Sequence, residues 1–379
     1  MLVHVDMVGV DNHFRLNFVQ VGTVELDDSV ARGEWDFKPI LPMFRMHGLT
    51  VGIVGCGRIG SRVGRAAVGL GINPIYEFGS DEQKERWLPQ MARGEVLGCF
   101  GLTEPDFGSN PGGMRTKAVR TDNGWVLNGE KLWCTNGTIA DLMVVMARTS
   151  DKRITAFIVE TDSPGVEVVH RCHLMGLHGI ENALIRFTDV RVPEDNVILG
   201  PGRGFEISQG RLGPGRVHHC MRAIGMAELC LELMVARSRE RKAFGRHLYQ
   251  HGPIAEWIAR SRIEIEQARL LVLKTAALID NGGAQAARKE ISMIKVIAAG
   301  LLTEVADRAI QVFGAMGLSP DTPLADLYTA GRALRFADGP DEVHLQTIAR
   351  LEARDQQDRL MAVMRYLEPV DSEPQGRGG

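Results

Sequence analysis

Apolar residues recur every three or four positions through the second half of the chain, from residue 204 to about residue 366. One such stripe consists of Ile291, Ile294, Ile297, Leu301 and Val305. This is the spacing of the buried face of an amphipathic helix. Glycine and proline interrupt the pattern at 252–253, 282–283, 314–320 and 339–340. The second half is therefore predicted to be a bundle of four or five long helices joined by short breaks.

Short β-strand patterns occupy residues 99–200 instead. The predicted strands are 118–126, 142–147, 155–160, 166–170 and 184–192. Turn residues such as Asn123-Gly124 and Asn128-Gly129 are expected to separate them, which predicts a small β-barrel or sandwich. The fold class is α+β multi-domain. The predicted domains are an atypical, partly helical N-terminal region (1–97), a β-domain (98–202), a C-terminal α-helical bundle (203–368) and a disordered tail (369–379).

Composition narrows the classes of protein to which the chain can belong. Its 379 residues are 44% apolar and 24% charged, with a net charge of −3, which is ordinary for a soluble globular protein. Neither a nucleic acid nor a membrane is expected as the main partner. The N-terminus lacks the basic and apolar regions of a signal peptide. We expect a cytoplasmic protein, or a mitochondrial one if the source is eukaryotic, although no targeting peptide is recognisable.

Six cysteines are scattered through the chain without a C-x-x-C pair. They are Cys56, Cys99, Cys134, Cys172, Cys220 and Cys230. This distribution predicts neither a zinc site nor a disulfide scaffold. Each cysteine is expected to be a small core residue in a reducing compartment.

Residues 49–77 carry the pattern of a βαβ unit that binds a dinucleotide. Its parts are a strand at 49–54, the turn Gly55-Cys-Gly57-Arg-Ile-Gly60, a helix at 61–70, and a strand at 73–77 that ends in Glu77. Such glycines let the backbone approach a pyrophosphate, and the acid binds a ribose hydroxyl. The stretch resembles the nicotinamide-binding turn of D-2-hydroxyacid dehydrogenases. Nothing after Glu77 continues the pattern, so a fused fragment, a gene-model junction and chance glycines in a helix are alternatives.

Four motifs between residues 79 and 368 carry the clearest functional signal. The β-rich part contains Phe100-Gly-Leu-Thr-Glu-Pro-Asp-Phe-Gly-Ser-Asn110 and Lys131-Leu-Trp-Cys-Thr-Asn-Gly137. The helical part contains Arg241-Lys-Ala-Phe-Gly245 and Gln311-Val-Phe-Gly-Ala-Met-Gly317. In this order they resemble TEPxAGSD, WITNG, RxxFG and QxxGGxG, which are motifs of the acyl-CoA dehydrogenase family.

The resemblance implies an enzyme that binds FAD between its β-domain and its helical bundle. The implied partners are an acyl-CoA substrate, an electron acceptor such as an electron-transfer flavoprotein, and further copies of the chain in a homodimer or homotetramer. The FAD-binding residues carried over are Phe100, Leu102, Thr103, Trp133, Thr135, Arg241, Phe244, Gln311, Gly314 and Ala315. The substrate-binding residues carried over are Ser109, Arg216 and Gly339. Arg241 and Phe244 are expected to reach across a subunit interface.

Asp338 stands where the family keeps its catalytic carboxylate. From local pattern alone, Asp338 before Gly339-Pro340 is a helix cap at the end of one helix and the start of the next. The resemblance implies instead that Asp338 removes a proton α to the thioester carbonyl while hydride leaves the β-carbon for flavin N5. A base held dry beside the flavin is expected to have raised basicity. Aspartate is one methylene shorter than the glutamate usual in the family, so substrate or backbone must lie closer.

Some positions depart from the family pattern, and rival functions remain open. The departures are Gly252 for a glutamine, Ala315 for a glycine, Thr329-Ala330 for an Arg-Asp pair, and Pro340 for a threonine. Residues 1–77 do not resemble the family's helical N-terminal domain. The rivals are a flavin oxidase of the same superfamily resembling nitroalkane oxidase, a nicotinamide-dependent hydroxyacid dehydrogenase, and an inactive truncated or fused homologue.

Overall fold

The computed structural model describes residues 4–10, 13–19, 69–150, 153–175 and 181–367. The helices are α1 (Gly69–Phe78), α2 (Asp81–Arg93), α3 (Gly204–Glu240), α4 (Gly252–Ala286), α5 (Arg288–Phe313), α6 (Leu324–Leu334) and α7 (Asp341–Leu367). The strands are β1 (His4–Val10), β2 (His13–Val19), β3 (Gly98–Gly101), β4 (Lys117–Thr121), β5 (Gly124–Cys134), β6 (Leu142–Ser150), β7 (Arg153–Glu160), β8 (Val166–Arg171), β9 (Ala183–Val192), β10 (Val197–Ile198), β11 (Lys242–Ala243) and β12 (Arg246–His247).

The N-terminal part contains a two-stranded hairpin and two helices. Strands β1 and β2 pair antiparallel, which the sequence pattern did not predict. The strand predicted at 73–77 is wrong, because these residues lie within α1. Buried Ile72 and Ile75 lie three positions apart on one face of this helix, and their burial outweighs the presence of Pro74. The proposed dinucleotide unit thus lacks its second strand, and its turn at 55–60 lies outside the described residues.

The middle of the chain is an eight-stranded sheet with the order β10-β7-β6-β4-β5-β9-β8, and β3 pairs with β6. The strand predicted at 118–126 is two strands, β4 and β5, separated by the turn at Asn123. The second predicted turn, Asn128-Gly129, is wrong. Both residues lie inside β5, where the register with β9 shifts between Leu127 and Gly129. The irregularity is a bulge within a continuous strand pair.

Strand β6 is buried on both faces of the sheet. Leu142, Val144 and Met146 belong to a core cluster with residues of α1 and α2, while Met143 and Val145 belong to a second cluster formed by the sheet itself. Because side chains alternate along a strand, one strand serves both cores. The sheet therefore has a fixed register against the N-terminal helices.

The C-terminal part is a helical bundle. Buried residues of α3, α4, α5 and α6 form one apolar cluster, and the predicted stripe supplies Ile294, Leu301 and Val305 to it. The predicted breaks correspond to the segment before α4, a non-helical Gly283, the 3-10 turn Gly314–Leu318, and the turn between α6 and α7. Within the part of the chain that the structure describes, none of the helices has the length and hydropathy of a membrane span.

Two helix glycines give a matched test of the packing. A Cβ on Gly210 of α3 would lie 2.6 Å from the ring of Phe78, whereas one on Gly300 of α5 would meet nothing within 4 Å. We expect Gly210→Ala to lower the free energy of unfolding by about 1–3 kcal/mol through overpacking. Gly300→Ala should raise it by about 0.5–1 kcal/mol through helix propensity. Urea unfolding measures both, and equal effects would contradict the contact between α1 and α3.

Candidate active site

Asp338 lies in the turn between α6 and α7, in a left-handed backbone conformation with φ 57°. The helix-cap alternative is wrong on two counts. Helix α6 ends at Leu334, before the turn, and the carbonyl of Pro340 accepts the hydrogen bond from His344 N that begins α7. A positive φ is unfavourable for a residue with a side chain. It is held here by the surrounding contacts, and the carboxylate turns towards α3.

The Asp338 carboxylate is buried against α3, with 11% of its side chain exposed. Arg211 Nη1 donates to Oδ1 at 3.0 Å. His219 Nε2 lies 3.3 Å from Oδ2, but Oδ2 accepts no hydrogen bond from the described residues. Arg216 Nε donates to the backbone oxygen of Asp338 at 3.0 Å. Arg211 thus holds the side chain of Asp338 and Arg216 holds its backbone, both from the same helix.

These contacts decide the charge of Asp338. Burial alone would raise its pKa, but the Arg211 guanidinium, His219 and Arg216 together hold the pKa well below its usual range. The expectation of raised basicity is therefore wrong for this structure. The carboxylate is ionised throughout the neutral range. Arg216 lies inside α3 and is half-buried.

Two further basic side chains support the turn from other helices. Lys295 of α5 is 1% exposed, and its Nζ donates to the backbone oxygens of Leu334 and Gly339. His344 of α7 has Nε2 3.4 Å from the Asp338 backbone oxygen. Burial, with Arg216 and Lys295 nearby, lowers the pKa of His344 to about 4, so this imidazole is neutral at pH 7. The turn is thereby fixed from three helices.

The two β-domain motifs are joined by direct bonds. Leu132 N donates to the Thr103 backbone oxygen at 2.8 Å, and Lys131 Nζ donates to the Leu102 oxygen at 3.1 Å. Lys131 Nζ also lies 2.7 Å from Glu104 Oε1, with side chains 0% and 4% exposed. Glu104 further accepts from the backbone N–H groups of residues 115 and 116. The loop after β3 and the end of β5 are therefore one rigid unit.

Trp133 and Thr135 lie at the end of β5. Trp133 has φ 58° and a side chain that leaves 47% of the residue exposed, which is unusual for so large an apolar residue. Thr135 Oγ1 donates to Asn182 Oδ1 at 3.0 Å. Phe100 lies at the start of the same unit, and the Arg211 guanidinium stands 5.3 Å over its ring. Arg211 thus bridges the predicted flavin loop and Asp338.

The other predicted FAD residues lie at the far end of the bundle. Phe244 is 97% exposed, with φ 51°, in the turn between β11 and β12. Gln311, Gly314 and Ala315 are exposed at the end of α5. Arg237, one turn before Arg241, lies 5.6 Å over the Phe313 ring, so both segments share this end. Arg216 and Arg241 are separated by about 37 Å of helix, at about 1.5 Å per residue.

The remaining predicted residues carry less information. Ser109 is exposed, and Gly339 has φ 107°, with a Cβ there meeting His344 Nε2 at 3.0 Å. The five cysteines within the described residues are buried and free. Burial raises the pKa of Cys220 and of Cys134 to about 12, which excludes both as thiolate nucleophiles at neutral pH.

The chain was compared with known protein families. Three domain models of acyl-CoA dehydrogenases match it: the N-terminal domain at residues 49–95, the middle domain at 99–190 and the C-terminal domain at 202–352. A probable acyl-CoA dehydrogenase of Mycobacterium tuberculosis, FadE2, is 44% identical over 290 residues, which are 73% of this chain and 70% of that protein.

The chain belongs to the acyl-CoA dehydrogenase family. The expectation that residues 1–77 do not resemble the family's N-terminal domain is wrong from residue 49 onward. Acyl-CoA dehydrogenase family member 11 of Rattus norvegicus is 45% identical over 303 residues, which are 76% of this chain and 39% of that protein. The chain thus spans well under half the length of this relative.

Solved acyl-CoA dehydrogenase structures share the fold. Butyryl-CoA dehydrogenase of Megasphaera elsdenii is 30% identical with a TM-score of 0.71, and the match covers 88% of this chain and 95% of that one. The prolyl acyl carrier protein oxidase AnaB is 26% identical with a TM-score of 0.73, covering 80% and 81%. The predicted β-domain and helical bundle are therefore the family's sheet-rich middle domain and helical C-terminal domain.

The sequence did not single out Arg211, His219, His344 or the Lys131–Glu104 pair. Arg211 and Asp338 are 127 positions apart in the chain, so no local motif contains both. The one available signal was the density of basic residues on a single predicted helix, at Arg211, Arg216 and Arg222. Such a density is usually a solvated face, and only the fold reveals that it surrounds a carboxylate.

Proposed function

We propose that the protein is an FAD-dependent acyl-CoA dehydrogenase in which Asp338 is the base. One observation carries this proposal: a buried, ionised carboxylate is linked through Arg211 to Phe100 of β3, the strand that leads into the predicted flavin loop. A buried carboxylate whose pKa is strongly perturbed by a specific charged partner is the kind of group that catalytic sites use. The family's reaction is the α,β-dehydrogenation of an acyl-CoA thioester.

The residues present fit FAD. Trp133 offers an exposed indole in a strained backbone conformation, next to the rigid unit of Leu102 and Thr103. A planar, largely apolar ring system needs such an apolar surface with fixed polar groups at its edge. At the far end, a Cβ on Gly245 or Gly314 would meet nothing within 4 Å, so the backbone there is open to a ligand. When bound, FAD supplies the acceptor for the β-hydrogen, which leaves as hydride.

The side chains of this protein have separable roles in the proposed reaction. Asp338 Oδ2 takes the α-proton of the thioester, because Oδ1 is held by the Arg211 guanidinium. Trp133, Leu102 and Thr103 hold the flavin ring, and Arg216 keeps the Asp338 backbone in place. Glu104 and Lys131 keep the loop and strand together. The low pKa of Asp338 keeps the carboxylate ionised at neutral pH, and the same contacts weaken it as a base.

The length of α3 supports an oligomer. Arg216 beside Asp338 and Arg241 beside Phe244 are about 37 Å apart along the helix, which exceeds the span of one extended FAD molecule. A flavin ring beside Asp338 therefore places its adenosine half out of reach of the same chain's Phe244. The Arg241–Phe244 segment would serve the FAD of a second copy, in a homodimer or homotetramer.

A flavin oxidase is the second candidate, because a structural neighbour of similar fold is the oxidase AnaB. The two candidates differ in where the electrons go. A dehydrogenase passes them to a protein such as an electron-transfer flavoprotein, whereas an oxidase passes them to oxygen and releases peroxide.

Anaerobic spectroscopy tests the proposed function. We expect the purified protein to be yellow and its visible flavin absorbance to be bleached by an acyl-CoA, because the substrate reduces bound FAD. In air, reduction should sustain turnover with an artificial electron acceptor and produce little peroxide. Stoichiometric peroxide without an added acceptor would favour the oxidase, and a folded, colourless protein that takes up no FAD would contradict both.

A further inference from the structure

We propose that Arg211 is a positioning residue for the reaction assigned to Asp338: it fixes Oδ1 and presents Oδ2 as the proton acceptor. The inference rests on the proposed function. Arg211 and Asp338 have side chains that are only 9% and 11% exposed, and Nη1 lies 3.0 Å from Oδ1. A buried pair of this kind has little freedom to reorient, because water offers neither partner an alternative.

The two carboxylate oxygens are not equivalent. Oδ1 accepts from Arg211, whereas Oδ2 is buried and accepts no hydrogen bond from the described residues. The neighbour on that side is Gly215, where even a Cβ would lie 3.4 Å from Oδ2. Oδ2 therefore carries the lone pairs that a carbon acid would use, and the Arg211 contact determines which way they face.

His219 does not take the place of Arg211 on Oδ2. Arg222 Nη2 lies 3.2 Å from His219 Nδ1, and a guanidinium can only donate, so Nδ1 is the acceptor and Nε2 bears the proton. Burial lowers the pKa of His219, so the ring is neutral at pH 7 despite the nearby Asp338. Its Nε2 lies 3.3 Å from Oδ2 and helps to lower the pKa of Asp338, but a neutral ring supplies no positive charge to the carboxylate. Arg211 is the charged group in direct contact with the carboxylate.

Arg211 is itself held in place. The residue before it, Gly210, packs against the Phe78 ring, and its guanidinium stands over Phe100. The aromatic face and Asp338 together fix both ends of the planar group. Because Phe100 belongs to the loop predicted to line the flavin, Arg211 fixes the distance between base and cofactor loop as well as the direction of Oδ2.

The pH dependence of flavin reduction by acyl-CoA is the experiment. Arg211→Gln should keep FAD bound and lower kcat at pH 7 by about 10–100-fold, because small misplacements of a base are costly. The Asp338 pKa should rise towards its usual range when the opposite charge is removed, so an acid limb should appear at low pH where the wild-type profile is flat. Arg211→Lys, which keeps the charge but loses the planar fork, should move the acid limb less.

The charged and titratable groups around Asp338 are Arg211, Arg216, His219, Cys220 and Arg222 on α3, Lys295 on α5, Arg335 in the turn, and Asp341 and His344 on α7. Among them His344 has a pKa lowered to about 4 and Asp341 pairs with Arg335. A change in the acid limb of the rate profile that appears only in the Arg211 variants therefore reports the contact between Arg211 and Asp338. Arg260→Gln, which removes an exposed arginine from α4, is the matched control.

Thermal unfolding supplies a readout that needs no turnover. Asp338→Asn should lower the Tm, because it leaves buried cations uncompensated, and adding Arg211→Gln should recover part of the loss. If the pH profile of Arg211→Gln matches that of the wild-type protein, and the Tm changes of the two substitutions are additive, the inference is overturned. The proposed function would remain intact. If acyl-CoA does not reduce the wild-type flavin, both the proposed function and the positioning role fail.

Discussion

Asp338→Asn is expected to bind FAD and to lose flavin reduction by acyl-CoA, with the rate falling by about 10²–10⁴-fold. The amide keeps the size of the side chain but cannot accept the α-proton. It also cannot pair ionically with Arg211, which lies 3.0 Å from Oδ1. Stopped-flow measurement of flavin bleaching under anaerobic conditions gives the rate, and the absorbance spectrum before mixing gives the FAD content.

Two variants make this prediction specific. Asp326→Asn removes an exposed carboxylate from α6, close in sequence to Asp338, and should reduce flavin at the wild-type rate. Asp338→Glu restores a carboxylate and should recover part of the rate, because it keeps the charge and changes only the reach of the side chain. If Asp338→Asn turns over as fast as Asp326→Asn, Asp338 is not the base.

Lys131→Met should have the largest effect on stability, lowering the free energy of unfolding by about 3–5 kcal/mol. The substitution leaves Glu104 ionised in an apolar interior without its cation, although two backbone N–H groups still donate to it. Burial alone would raise the pKa of Glu104, but the charge of Lys131 and these donors lower it. Urea unfolding of the FAD-loaded protein measures the loss, and we expect weaker FAD retention because Leu102 also loses its contact with Nζ.

The cause of the stability loss in Lys131→Met is tested by its pH dependence and by a double variant. In the wild-type protein the lowered pKa of Glu104 contributes stability above its unfolded pKa, and this is lost as pH falls. Without Lys131 the folded pKa rises, so the deficit of the variant should shrink on acidification. Adding Glu104→Gln should recover most of the loss at pH 7. Lys117→Met, at an exposed lysine of β4, should stay within about 0.5 kcal/mol of wild type.

The parts of the fold that rest on local periodicity could be predicted from sequence. The stripe from Ile291 to Val305 identifies α5 because helix spacing is a property of one segment. The prediction of a strand at 73–77 was wrong because these residues form a helix that buries Ile75 against the sheet. Asn128-Gly129 failed because a glycine that allows a bulge looks the same in sequence as one that allows a turn.

The site could be predicted only as far as the family motifs reached. Those motifs identified Asp338 and Trp133. Both residues have a positive φ, which marks a constrained backbone position. They did not identify the partner of the carboxylate, because Arg211 meets Asp338 only after α3 packs beside the turn before α7. The lowered pKa of Asp338 follows from that contact. The sequence alone therefore predicted the wrong direction for this pKa shift.

The most direct measurement is an experimental structure of the FAD-loaded protein with an unreactive acyl-CoA analogue. The flavin should lie between Trp133 and the helical bundle, with Asp338 Oδ2 about 3–3.5 Å from the α-carbon of the analogue and Oδ1 still on Arg211. A flavin bound elsewhere, or an α-carbon out of reach of Asp338, would contradict the assignment of Asp338 as the base.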